Sequence, residues 1–240
     1  MNHATKKFQL RLKNLSGVLV IVLSFTSCGN TNDKTETNQD STVIVNESND
    51  TTALTTGSTE RFKEFDWKTI PISTANIGAF PYLTAPEGFF IQDKGGYDES
   101  KTGYSELKDF DMLIMFTGDA FYKAEGKVSR LKFSMKDKEA DWNQYKFDSS
   151  VEKYLNSIGA KLLGKLKIGD AQKDFLNKDD DMMIYNHMVS DPYNEAARFY
   201  ALNQKDRKIM FQISSNSAMG EIAVVELGAL DQTIKAPTGL

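Results

Sequence analysis

The sequence predicts an α+β domain, a mainly antiparallel sheet with two or so short helices, preceded by a disordered tether. Three observations carry this expectation. Several short runs alternate apolar and polar residues between turn-forming residues, the period-2 signature of strands. Helical spacing of apolar residues recurs in only two places, near residues 149–158 and 170–176. Residues 29–60 contain no aromatic side chain and are dominated by Thr, Asn, Ser, Asp and Glu. Such a segment buries too little apolar surface to offset the entropy of ordering it.

The chain opens with a basic stretch, Lys6, Lys7, Arg11 and Lys13, followed by an apolar run of eleven residues, 15–25. That run is shorter than the roughly 20 residues a spanning helix needs. Residues 1–27 therefore read as a secretory leader. Cys28 comes directly after it and is the only cysteine in 240 residues. A lone cysteine cannot make an intramolecular disulfide, and a free thiol suits an oxidising envelope poorly. Diacylation of its sulfur, with cleavage just before it, accounts for both its position and its solitude. The string around it resembles the bacterial lipobox, with Phe25 where leucine is commonest. The expected first partner is thus a membrane, reached through a lipid on Cys28.

Loss of residues 1–27 removes four basic side chains and no acidic one, leaving 25 basic against 33 acidic and a formal charge of −8. Binding to nucleic acid or to anionic membrane surfaces rests on Lys and Arg meeting phosphates. The overall balance speaks against both, and no basic patch with interleaved aromatics stands out in the sequence.

Residues 28–60 are the expected tether. A coil of roughly 30 residues has an r.m.s. reach of about 30 Å. Within it, Asp40-Ser41-Thr42 and Asp50-Thr51-Thr52 resemble the Asp-Ser/Thr-X acceptor of some bacterial envelope O-glycosylation systems, making Ser41 and Thr51 candidate acceptors. From Arg61 onwards the composition turns globular, with both tryptophans and most phenylalanines. Residues 61–240 suffice for a single domain with a core of its own.

Residues 65–90 hold three prolines, two glycines and six aromatics. Prolines 71, 81 and 86 bias the preceding residues towards extended backbone, which predicts an apolar arm wrapped on the core. Trp67, Phe80, Pro81 and Tyr82 are the candidates here for a partner-docking surface. Residues 92–109 read as a polar loop. Residues 110–117 and 120–127 flank Gly118-Asp119, a two-residue hairpin signal, and 127–135 continues as an alternating strand. Ser149 or Ser150 is expected to cap a short helix through Ser157, ended by Gly159. Residues 162–168 read as a strand, 170–176 as a helical turn and 182–188 as another strand. A hairpin over 196–203 and 207–214 and a last strand over 221–228 complete the series. Strands joined by short loops favour a mainly antiparallel sheet.

Chemistry-bearing residues are few. His3 leaves with the leader, so His187 is the single histidine of the mature chain, and it reads as a strand residue hydrogen-bonded to a neighbour. One histidine and a lipidated cysteine cannot assemble a Cys/His metal site. A Ser-His-Asp triad would lack its Gly-x-Ser-x-Gly elbow. The run Lys178-Asp179-Asp180-Asp181 lacks the alternating spacing of a calcium loop and reads as a solvated turn. Gly95-Gly96 has neither the following helix nor the lysine of a phosphate-binding loop, so nucleotide is not an expected ligand. No catalytic residue, metal ligand or cofactor is assigned. Paired carboxylates acting as a cell-wall or glycan hydrolase remain an alternative. The many Phe and Met residues suggest another, a carrier of a small apolar ligand or lipid.

One further likeness runs along the globular part. Asp66-Trp67, residues 70–75, Ile77-Gly78 and residues 80–88 carry it, with Ala124-Glu125-Gly126-Lys127, residues 213–220 and residues 231–234. Together these resemble the module found upstream of the peptidoglycan-binding domain in some OmpA-like lipoproteins, over about residues 62–235. In those relatives an OmpA-type domain follows, whereas this sequence reaches Leu240 without its arginine- and aspartate-bearing motif. The resemblance therefore transfers no peptidoglycan contact to any residue. It implies an envelope location and an accessory, non-catalytic module, with another envelope protein as the expected second partner.

Overall fold

The computed structural model of the chain describes residues 61–92, 106–189 and 191–237. The fold is α+β: an eight-stranded, mostly antiparallel sheet with three helices. After one 3-10 turn at Trp67–Thr69 come β1 (Ile72–Ser73), β2 (Phe89–Ile91), β3 (Glu106–Phe116) and β4 (Phe121–Met135). Helix α1 (Gln144–Ser157), β5 (Lys161–Leu166), α2 (Asp170–Leu176) and α3 (Met183–His187) follow. The chain then forms β6 (Ala197–Gln204), β7 (Lys208–Ser215) and β8 (Gly220–Leu227). The sheet order is β1-β6-β7-β8-β4-β2, with β3 also paired to β4 and β5 to β6. Among the described strands only β1, against β6, is parallel.

Strand alternation divides the apolar residues between two cores. In β8, Ala223 and Val225 face one side and Ile222 and Val224 the other; in β7, Met210 opposes Ile209, Phe211 and Ile213. The first core is closed by α2 and α3 through Leu176, Met183 and Ile184. The second is closed by α1, through Phe147, Val151 and Leu155, and by the arm, through Ile77, Tyr82 and Phe89. Because both faces are covered, β7 and β8 are buried almost throughout. The β3–β4 turn is the expected one: Gly118 takes φ +105°, and the Thr117 N–H donates to the Ala120 carbonyl at 2.9 Å.

Three expectations need correction. Residues 182–188 are helix α3, not a strand. Ile184 and Met188 are buried four apart while Tyr185 and Asn186 between them are exposed, a helical rather than alternating pattern. A short apolar run cannot by itself distinguish a strand from a buried helix. His187 accordingly ends a helix instead of lying in a strand. Helix α1 begins at Gln144, not beside Ser149 and Ser150. Its cap is Asn143, whose side chain accepts from the Lys146 N–H at 2.9 Å, and Phe147 extends the apolar series backwards by one step of four. The stretch read as a loop over 92–109 gives its last residues to β3, since Glu106 stands opposite Arg130. The alternation read as continuing from 120–127 into 127–135 is one unbroken strand, β4. Cys28, Ser41, Thr51 and Gly95-Gly96 lie outside the described residues.

Candidate functional site

The arm and α1 enclose an open cleft of about 250 Å³ on the second core's side of the sheet. Leu83, Thr84, Ala85, Pro86 and Glu87 form one wall, Ser150, Val151 and Tyr154 the other, and Ile222 also lines it. The arm is fastened beside it at several points. The Tyr154 hydroxyl donates to the Tyr82 carbonyl, and the Arg207 guanidinium lies 5.7 Å from the centre of the Tyr82 ring. The Gln204 amide donates to the Ala75 carbonyl at 2.6 Å, and the Ser73 hydroxyl to the Ile158 carbonyl at 2.7 Å. Burial pushes the Tyr154 phenol above its ordinary pKa, so the hydroxyl keeps its proton to donate. The cleft is open and smaller than the about 300 Å³ at which ligand pockets usually begin. Its shape fits a side chain or short segment of a partner better than an enclosed small molecule.

A second concentration of polar groups sits where α3 meets β3 and β4. Arg130, a residue only 8% exposed, donates from Nη1 to the Met188 carbonyl at 3.0 Å and from Nη2 to the Asn186 carbonyl at 2.5 Å. Its Nε lies 3.6 Å from Glu106. Gln212 completes the clamp. Its amide donates to the carbonyls of Ile114 at 2.6 Å and His187 at 3.2 Å, and its oxygen accepts from the Val189 N–H at 2.8 Å. Two side chains thereby satisfy the carbonyls that the end of α3 leaves unpaired, with a cation where the helix terminus favours one.

Beside this clamp β3 bulges between Lys108 and Asp111. Lys108 Nζ reaches Asp111 at 2.8 Å and Glu106 at 3.3 Å. Burial alone would raise the Asp111 carboxyl, but the Lys108 hydrogen bond and the Met112 N–H outweigh it and hold the group below the usual carboxylate range. His187 Nδ1 stands 3.0 Å from the Met112 carbonyl, which can only accept, so this nitrogen carries the hydrogen. Asp111 lies 3.8 Å from the same nitrogen. The carboxylates are thus held in ion pairs that pin the bulge. A comparable tie crosses the second core, where Asp148 of α1 accepts from the Ser215 hydroxyl at 2.7 Å and from Arg198 at 2.5 Å. Among the described residues no group of three or more His, Cys, Asp or Glu side chains converges as a metal site.

The four docking candidates do not share a surface. Pro81 and Tyr82 are buried, Tyr82 in the second core and only 3% exposed; the Phe80–Pro81 peptide bond is cis. Phe80 is half-buried beside Tyr82, with Lys127 Nζ 4.8 Å from its ring centre. Trp67 packs on the first core, edge-on to Phe65. The acidic run 178–181 is exposed, as expected of a solvated turn, and Asp179 pairs with Arg61. The cleft and the α3 clamp were both missed. For the clamp a signal existed in the sequence: Arg130 and Gln212 each interrupt an apolar strand at a position that alternation assigns to the core.

Fold and site together define one α+β domain whose sheet is covered on both faces, with an apolar cleft under its N-terminal arm. Comparison with models of known protein families and with curated proteins finds no match to this chain.

Proposed function

We propose that this chain is an envelope lipoprotein, anchored through Cys28, whose globular part is a non-catalytic interaction or assembly module. The observation that carries the reading is the single cysteine set directly between an apolar leader and a long polar segment. The resemblance to modules that precede OmpA-type domains supports the accessory role. So does the use made of the buried polar groups: Arg130 and Gln212 tie α3 to the sheet, and Arg198 and Asp148 tie α1 to it. Their hydrogen-bonding capacity goes into architecture. The arm–α1 cleft is the surface this reading assigns to a second envelope protein.

A photo-reactive residue placed at Ser150, inside the cleft, is expected to crosslink one reproducible envelope protein in intact cells. The same residue at the exposed Asp181, beside α3, should not. The competing hydrolase reading expects instead that the purified protein clears peptidoglycan sacculi or polysaccharide in a gel overlay. Clearing that is lost on replacing one carboxylate would overturn the non-catalytic module.

A further inference from the structure

Neither the cleft nor the α3 clamp uses the patch at the β1 end of the sheet. Register brings its members together. Ile72 of β1 and Lys208 of β7 both stand opposite Asn203 of β6, and Lys161 of β5 stands opposite Ala201 on the same face. The Asn203 amide donates to the Ile70 carbonyl at 3.1 Å and the Trp67 carbonyl at 3.4 Å, which holds the 3-10 turn against this corner. Lys208 Nζ lies 5.4 Å from the centre of the Trp67 ring, and Lys161 Nζ donates to the Thr69 carbonyl at 3.2 Å. Lys68 is exposed in the same turn. Ile72 is 67% exposed, an unusual place for a branched aliphatic side chain.

The charges at this corner are unbalanced. Among the described residues Lys68, Lys161 and Lys208 take part in no ion pair. Asp206 is bound by Arg207 at 3.1 Å, and Asp66, whose carboxylate accepts the Lys68 backbone N–H at 3.0 Å, is one negative charge against the three lysines. An exposed aliphatic residue, a half-buried tryptophan and three lysines outside any ion pair make a local amphipathic surface.

We propose that this patch seats the domain on an anionic phospholipid surface, that of the membrane holding its own anchor; the inference rests on the lipoprotein reading above. Tryptophan favours the headgroup level, and lysine stems lie along apolar surface while their heads reach phosphate. The formal charge of −8 speaks against recruitment by overall attraction but acts weakly at the contact itself, because charges beyond a Debye length of about 8 Å are largely screened and the local set governs. Each lysine close to an anionic surface strengthens binding by about fivefold, so three supply about a hundredfold. The patch begins a few residues after the tether, whose length sets an effective concentration of order millimolar for the membrane. An affinity too weak to recruit a free protein therefore suffices to orient an anchored one.

The test uses the mature chain from residue 28 onwards, with Cys28→Ser so that no lipid is attached, floated with vesicles. Partition into phosphatidylglycerol-containing vesicles should exceed that into pure phosphatidylcholine by about tenfold or more. The double substitution Lys161→Glu and Lys208→Glu should abolish the difference, and Ile72→Asp should weaken binding to both. Unchanged circular-dichroism melting of these surface variants would exclude misfolding as the cause. Equal partition into the two vesicle types, or binding indifferent to the lysines, overturns the inference. Since the assay contains no lipidated protein, such a result leaves the anchor standing. An unmodified Cys28 in the native protein would instead remove the anchor without touching this result.

Discussion

Gly126→Ala is expected to lower the stability of the domain by about 3 kcal/mol or more, a large share of the whole. Gly126 lies within the fifteen-residue strand β4 and pairs on both sides, with Asp111 of β3 and Leu227 of β8. Its φ is +152°, and a Cβ built there would stand 2.0 Å from the Glu226 carbonyl oxygen and 2.7 Å from the Gly228 nitrogen. Both obstacles are backbone, so no side-chain rotation relieves them. Strained backbone costs about 1–3 kcal/mol and overpacking a similar amount, against a total stability of about 5–15 kcal/mol. Gly78→Ala serves as the control: φ is +73° but nothing lies within 4 Å of the added carbon, so only the conformational cost of about 1–2 kcal/mol applies. Urea denaturation of both variants reads the difference. A Gly126→Ala protein as stable as wild type would mean that β4 and β8 do not pair in this register.

Arg130→Met should cost about 3 kcal/mol. The substitution keeps much of the apolar stem but leaves the Asn186 and Met188 carbonyls without their donor, and Glu106 without its guanidinium. Orphaned buried acceptors cost about 1–3 kcal/mol each, and removing one side of a buried ion pair about 3–5 kcal/mol. The Glu106 side chain is 37% exposed, so water takes over part of that second loss. Arg130→Lys should rescue little, because a single ammonium cannot reproduce the fork that reaches two carbonyls. Hydrogen exchange at Val189, whose N–H bonds to Gln212, should accelerate in both variants. A loss below 1 kcal/mol for Arg130→Met would show that α3 is held by its apolar face alone.

Most strands were legible because alternation survives even where both faces are buried. In β4 the sequence Val128–Phe133 assigns Val128 and Arg130 to one side and Leu131 and Phe133 to the other, as the two cores require. Helix α3 was not legible: Met183, Ile184 and Met188 are apolar in an apolar run, and only tertiary packing decides between periods of 2 and 3.6 over so short a stretch. The start of α1 was misplaced because two serines offered a cap where Asn143 supplies it. The arm wrapped on the core was legible, with Tyr82 and Phe89 buried as that reading requires, but Pro81 and Tyr82 were also offered as a docking surface and are not available for one. The cleft depends on residues 83–87 meeting residues 150–154, a long-range contact with no local signature. The lysines around Trp67 gather from three separate segments, and a net charge of −8 gave no hint of them.

The claim on which the functional account rests is the identity of the mature N-terminus. Intact mass spectrometry of the protein extracted from its native membranes measures it directly. The account predicts a chain that begins at Cys28 and carries a diacylglyceryl group on its sulfur, together with any further acylation or sugar as separate increments. A mature chain that begins elsewhere, or one whose Cys28 thiol is free and reacts with maleimide, would contradict it.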